Sequence, residues 1–320
     1  MSTVPTRAGD PLAALAVYGD GLARATTLEE VVDAALAGLA DLCGCANALL
    51  LVHQPELARL VTVGSHGYAA GGTGSEVALG EGVIGMVGAR RQTMRIGNLQ
   101  RMLSYARSVR RSAEDHEDAV DEIRLPGLAD ARSQLAAPML ARGALVGVLA
   151  MESSDALAYD EVDEQVLTIA AHLVAAAFER EQLAVSEPEV PPPSTVGVRP
   201  AAATPAAGPG EESVVLRHYA VDGSTFLDDD YMIKGVAGRL LWKLVADHAA
   251  TGRTSFTNRE AKLDPTLELP EYRDNFESRL ILLKRRLDEQ VAPVRIHSTG
   301  RGRFDIEVRA PLDLQHIAAT

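Results

Sequence analysis

Cysteine is scarce in this 320-residue sequence, which holds only Cys43 and Cys45. Two thiols cannot build a disulfide framework and are too few for a zinc site by themselves. Set one residue apart, they are also badly placed to bond to each other within a helix or strand. Long apolar runs are lacking too. No stretch reaches the ~18 residues that a membrane-spanning helix needs, and the nearest, Ile169 to Phe178, is short and Ala-rich. The first residues, MSTVPTRAGDPLAALAVYGD, have no basic start followed by an apolar run, so no secretion signal is legible. These absences point to a cytoplasmic chain with no membrane partner.

Catalytic signatures are missing as well. The sequence has no GxxxxGK[ST], no GxSxG, no HExxH and no kinase set, so no nucleophile, metal cluster or phosphate cradle is evident. The expectation is a protein that is not an enzyme. Gly80-Glu81-Gly82-Val83-Ile84-Gly85 formally fits the dinucleotide pattern G-x-G-x-x-G. No acid occurs between Glu81 and Glu114 to hold a ribose, so a glycine-rich turn shaping the domain is the better reading. Cys43-Gly44-Cys45 reads as small-residue packing at a helix-to-strand junction, with redox or metal sensing as the alternative.

What is present is enough apolar material for packed domains. Hydrophobic residues make up 47% and the net charge is −13. A chain of this length suggests two domains. The stretch from Ser186 to Gly210 is rich in Pro, Ala and Gly and poor in large apolar residues, which marks a linker. The expected organisation is a first domain over residues 10–185, a linker over 186–210 and a second domain over 211–310, with short tails.

The overall acidity argues against coating nucleic acid with the whole surface. Locally the balance reverses. Residues 211–272 carry an acidic surplus, whereas residues 273–309 hold nine Lys/Arg against six Asp/Glu.

In the first domain, Leu12, Leu15 and Leu22 step at helical spacing, and Thr27 precedes a second helix running to about Leu42. Strands are expected at Ala48–His53, Leu57–Gly64, Ser75–Leu79, Leu135–Leu140 and Ala144–Glu152. A last helix is expected from about Asp160 to Gln182, with an apolar seam at Val162, Val166, Ile169, Leu173 and Ala176. The order implies an α+β fold, an antiparallel sheet with helices on one side.

Over about residues 10–185 the chain resembles a GAF sensory domain. The residues carrying the likeness are Gly80 to Gly85, Ser133-Gln134-Leu135-Ala136-Ala137-Pro138-Met139, Gly143 to Leu149 and Tyr159-Asp160-Glu161-Val162-Asp163. The resemblance implies a six-stranded sheet with a small-molecule pocket on one face and pairing of the first and last helices in a homodimer. The dimer helices would then use Leu12, Leu15, Val162, Val166, Ile169 and Leu173. Between Leu99 and Ser133 lies a long charged stretch that is either a lid over a ligand or a surface insertion; Met102, Tyr105 and His116 are its pocket candidates. The cofactor or ligand stays unknown.

The second domain reads as short strands at Val214–Tyr219 and Thr225–Leu227, a helix at Val236–His248, a short helix capped by Thr257, and a long helix from Tyr272 to Gln290. That last helix carries Phe276, Leu280, Leu283 and Leu287 on one stripe. A hairpin follows, Val294–His297 and Phe304–Val308, joined through Gly300-Arg301-Gly302-Arg303. This half resembles the winged helix-turn-helix DNA-binding domain of OmpR-type transcription regulators. The likeness rests on Arg239 to Leu244, Arg279 to Leu287 and the hairpin tip. It implies that double-stranded DNA is the partner. Asn275, Arg279 and Leu282 would face base edges, Arg273 and Arg286 phosphates, with Lys284 and Arg285 in the same basic cluster and Arg301 and Arg303 at the wing. A signalling adaptor that binds protein through the same unit is the alternative, and a haem or metal sensor a third.

Overall fold

A computed structural model describes residues 10–69, 71–99, 123–186, 213–269 and 276–318. The chain divides into two compact units, Met1–Glu181 and Gln182–Thr320.

The first unit opens with α1 (Pro11–Arg24), started by the Asp10 carboxylate accepting from Leu12 N, with Pro11 in the first turn. In α2 (Leu28–Cys43), the Thr27 hydroxyl accepts from Glu30 N, and the Glu30 carboxylate reaches back to the backbone N and hydroxyl of Thr26. The helix ends at Gly44, whose positive φ of 62° suits a residue without Cβ. There follow β1 (Asn47–Gln54), β2 (Arg59–His66), β3 (Glu76–Ala78), α3 (Gly82–Arg90), β4 (Met94–Ile96), β5 (Ser133–Ala141), β6 (Ala144–Ser153) and α4 (Glu161–Ser186). The six strands form one sheet in the order β3-β2-β1-β6-β5-β4, with every pair antiparallel. Register shifts at Leu50/Leu51 and Met139/Leu140 add local twist.

Strand alternation splits the sheet's side chains between two cores. Leu49, Leu51, Leu60, Ala136, Val148 and Ala150 pack with Val83, Ile84 and Val87 of α3. Leu50, Val52, Leu149 and Met151 are also buried but point to the opposite face, where α2 packs on β1 and β2 and α1 lies on α2. The expected α+β sheet is present. The expectation that its helices gather on one side needs a correction, because α3 covers the other side.

The second unit contains β7 (Val214–Tyr219), β8 (Thr225–Leu227), β9 (Asp230–Ile233), α5 (Gly235–Thr251), β10 (Ser255–Thr257), α6 (Asn258–Lys262), α7 (Phe276–Glu289), β11 (Val294–Gly300), β12 (Arg303–Val308) and β13 (Leu312–Ile317). Its core is built on α5 and α7, through Leu240, Leu241, Leu244, Phe276, Leu283 and Leu287. One sheet has the order β10-β12-β11 and a second the order β13-β7-β8-β9. The residues after 310 are therefore no tail: β13 pairs parallel to β7, setting His316 opposite His218. The His218 ring stacks on Trp242 with centroids 5.3 Å apart, and His316 lies 5.4 Å from the same indole. Among the described residues no helix is long and apolar enough to cross a membrane.

Candidate functional site

On the α3 side of the first sheet, the apolar surface ends in a polar cluster around Glu152, near the end of β6. Alternation puts Glu152 on the same face as Val148 and Ala150. Its carboxylate is 7% exposed and accepts from Tyr68 Oη (3.1 Å), Leu128 N (3.0 Å) and Gln134 Nε2 (3.0 Å). All three donors are neutral, so burial outweighs the hydrogen bonds and raises the carboxyl above its ordinary range. The Leu128 bond also fastens the loop of residues 123–128 to the sheet. Nearby, Tyr159 is buried and its hydroxyl has no hydrogen-bond partner among the described residues. The cluster is a buried polar end to the α3-side core.

A second feature lies on the outer helices. Gly19 of α1 comes close enough to α4 that a Cβ there would meet Leu173 Cδ1 at 3.8 Å. Arg180 of α4 donates to the carbonyls of Leu22 and Ala25 at the end of α1, so the two helices are tied together. Their outward surface is apolar: Leu12 and Val17 on α1 are 74% and 72% exposed, and Val162, Ile169 and Leu183 on α4 are also exposed.

Residues 25–179 match the GAF domain family model. This segment is a GAF domain. Among solved structures, the chain is similar to the GAF domain of the Acinetobacter phosphoenolpyruvate-protein phosphotransferase, with 17% identity over 54% of this chain and 94% of that one and a TM-score of 0.44. It is also similar to the free methionine-R-sulfoxide reductase of Neisseria meningitidis in complex with its substrate (21% identity, 57% and 99% covered, TM-score 0.43). A third is the GAF domain of A. aeolicus nlh2 in an inactive state (17% identity, 53% and 96% covered, TM-score 0.39). Identity this low carries no ligand or activity across. No curated protein matches the chain.

Within the GAF domain, the pocket candidates Met102, Tyr105 and His116 lie outside the described residues, and Glu152, Tyr68 and Gln134 were not anticipated. Their signal was faint, since a single acid in an apolar strand reads as an outward-facing residue. The glycine segment acts as a turn. Gly80 has a φ of 92°, and Gly80 N bonds to Gly85 O at 2.8 Å. A Cβ on Gly85 would stand 2.2 Å from Ala78 O, so the backbone is packed against itself there. Cys43 ends α2, and the buried Cys45 thiol is pushed up to about 12 by desolvation, which disfavours the thiolate that redox and metal chemistry require. Among the described residues no three His, Cys, Asp or Glu side chains gather as a metal site would need.

The dimer seam needs correcting. Val166 and Leu15 are buried against their own domain, and Leu173 is half-buried beside α1. The exposed stripe on α4 keeps Val162, Ile169 and Ala176 of the expected seam and adds Leu183, each seven residues after the last. Leu12 keeps its expected place on the surface.

In the second unit, Thr257 and Glu260 form a capping box that starts α6. Asn258 N bonds to Gly302 O at 2.9 Å, and Phe256 stacks on Phe304, so the hairpin tip is fixed beside α6. Arg301 and Arg303 are exposed there. On α7 only part of the expected cluster reaches solvent: Lys284 and Arg285 are half-buried. Arg279 and Leu282, placed by their spacing on an open face, are 6% and 4% exposed. Arg286 is not a surface phosphate contact. Its Nε and Nη2 donate to the carbonyls of Met232 (2.9 Å) and Tyr231 (3.1 Å), which ties α7 to β9. On a helix of 3.6 residues per turn, Arg279 and Arg286 lie roughly 60° and 80° to one side of Phe276, outside the narrow arc of Phe276, Leu283 and Leu287. The angle alone would leave them at the border of the core; for Arg286 it is the carbonyls of β9 that cover this flank. Leu280, expected on that stripe, lies toward the other side and is only half-buried. Arg273 and Asn275 lie outside the described residues.

Proposed function

We propose that the chain is a cytoplasmic, non-enzymatic transcription regulator, in which a GAF domain senses a signal and an OmpR-type winged helix binds double-stranded DNA. Two copies associate through α1 and α4, and a small-molecule effector in the GAF domain biases how the two winged helices are presented to paired half-sites. The observation that carries the DNA reading is the hairpin tip, where Arg301 and Arg303 stand exposed and anchored beside α6. With Lys284 and Arg285 on the accessible side of α7, they supply the cations that a phosphate backbone attracts. The effector reading draws on the GAF family match, since GAF domains commonly bind small-molecule effectors, with the buried Glu152 cluster as the polar group beside the α3-side core.

The test is binding of the full chain to labelled duplex DNA across a salt series, beside an Arg301→Ala/Arg303→Ala variant. Salt-dependent binding that weakens in the variant is expected. A flat response, or none at any salt, removes the DNA reading. Dimerisation is tested by sedimentation of an Ile169→Glu variant, which places a charge in the exposed stripe. Wild type should sediment as a dimer and the variant as a monomer of unchanged fold, and a monomeric wild type would sink the pairing.

Burial of Arg279 favours a second reading. An adaptor that docks a protein partner does not need a base-reading arginine in solvent, and it predicts intact partner binding with no affinity for DNA.

A further inference from the structure

The cation surface at the hairpin tip includes a residue that the sequence pattern did not single out. Arg259 is the second residue of α6 and is exposed. The residue before it, Asn258, holds the hairpin turn through Gly302 O, and Thr257 stands opposite Arg303 in the β10–β12 ladder. Arg259 therefore sits beside the turn that Arg301 and Arg303 flank. Three of the acids around it are already engaged, which leaves Asp305, opposite Ser255 in the β10–β12 ladder. Glu260 pairs with Arg253 at 2.6 Å, Glu277 with Lys262 at 2.8 Å, and Glu307 with Arg309 at 2.7 Å. Among the described residues Arg259 pairs with no carboxylate. Residues 253–262 and 295–309 together hold seven Lys/Arg against three Asp/Glu, so the surface stays cationic in a chain of net charge −13.

Resting on the reading of this unit as DNA-binding, we infer that Arg259, with Arg301 and Arg303, forms a phosphate-binding surface through which the chain holds duplex DNA independently of sequence. Arg279 contributes nothing to that contact in the conformation seen here. Three cations at the junction of α6 and the hairpin can meet backbone phosphates without any base edge being reached, because phosphate contacts fix position and carry no sequence information. Arg279 and Leu282 are buried, so this contact does not draw on them.

The experiment uses the full chain and a labelled random-sequence duplex, titrated between about 50 and about 200 mM salt. Variants are Arg259→Ala, Arg259→Lys and Arg90→Ala, the last an exposed cation of the GAF domain, with thermal midpoints recorded to show that each folds. Losing one phosphate contact lowers the log-log slope by about 0.9, so the wild-type advantage over Arg259→Ala shrinks about threefold across that range. Arg259→Lys keeps the slope, because either cation neutralises a phosphate. Arg90→Ala leaves slope and affinity for random duplex unchanged. A wild-type slope in Arg259→Ala overturns the assignment while the DNA reading stands. An equal loss of slope in Arg90→Ala overturns it as well, because any exposed cation would then serve. Absence of duplex binding by the wild type removes the DNA reading and this inference with it.

Discussion

Arg286 offers the sharpest separation between a structural arginine and a DNA-binding one. Its guanidinium donates to two carbonyls of β9 from a side chain that is 7% exposed, and its contact to the Glu289 carboxylate is long, at 3.9 Å. Truncation to alanine leaves the Met232 and Tyr231 carbonyls short of a donor and opens space along the aliphatic stem. An unsatisfied buried polar group costs about 1–3 kcal/mol, and hydrogen bonds from a charged donor sit at the upper end. Against this, burial of the cation is itself unfavourable, as its lowered proton affinity indicates, and removing it returns part of that penalty. The net expectation for Arg286→Ala is a loss of roughly 2–4 kcal/mol. For Arg286→Met, which keeps the stem, the loss should be smaller by the packing share alone. Trp242, the single tryptophan, lies in α5 of the same unit, so its fluorescence during urea unfolding reports this unit. With a urea slope of about 1–3 kcal/mol/M, the midpoint of Arg286→Ala should fall by roughly 1–3 M. A midpoint within about 0.3 M of wild type, together with weakened duplex binding by the folded variant, would refute the tie and return Arg286 to the phosphate role.

Two pH responses follow from the same structure. Burial raises the Glu152 carboxyl, so as pH climbs past its ordinary value of 4.5 the unfolded chain gives up its proton before the folded one. The GAF domain therefore loses stability with rising pH until the folded carboxyl ionises, and Glu152→Gln should abolish that slope in calorimetry between about pH 4 and about pH 8. An unchanged slope would mean that Glu152 is not the group responsible. His218 has the opposite sign. Burial, with His316 and Arg239 nearby, lowers it from 6.5 to about 4 despite Asp222, so the second unit holds His218 neutral. Between those values the unfolded chain binds the extra proton, and stability falls as pH drops through the window. Urea midpoints read by Trp242 fluorescence should decline from about pH 6.5 toward about pH 4 in wild type and hold level in His218→Phe, which keeps a flat ring against the indole; parallel declines would discard the assignment.

Legibility in the sequence followed how many constraints each segment carried. The long strands of the GAF sheet announced themselves because runs such as Ala48–His53 and Ala144–Glu152 are apolar, bounded by turn residues, and buried on both faces once α2 and α3 are in place. The three-residue strands β3, β4, β8 and β10 are too short to show alternation; β3 and β8 are legible only beside their flanking turn residues, and β4 and β10 are not legible. In α4, Val162, Ile169 and Ala176 of the expected seam are exposed, whereas Val166 is buried and Leu173 half-buried. The helix has apolar residues on two sides, and spacing alone does not say which of the two alternating rows looks inward. Burial of Val166, Ala170 and Val174 against the domain leaves Val162, Ile169, Ala176 and Leu183 outside. A similar ambiguity decided α7. Charge on Arg279 and Arg286 was taken as a mark of surface, but a guanidinium can be buried when its donors find carbonyls, and the two for Arg286 come from β9, more than 50 residues earlier in the chain. Glu152 escaped for the same reason, since its donors lie on three separate segments. Local pattern reports which residues are polar; whether a polar residue faces water or a distant partner is settled by topology, and that is where both the misplaced arginines and the overlooked carboxylate arose.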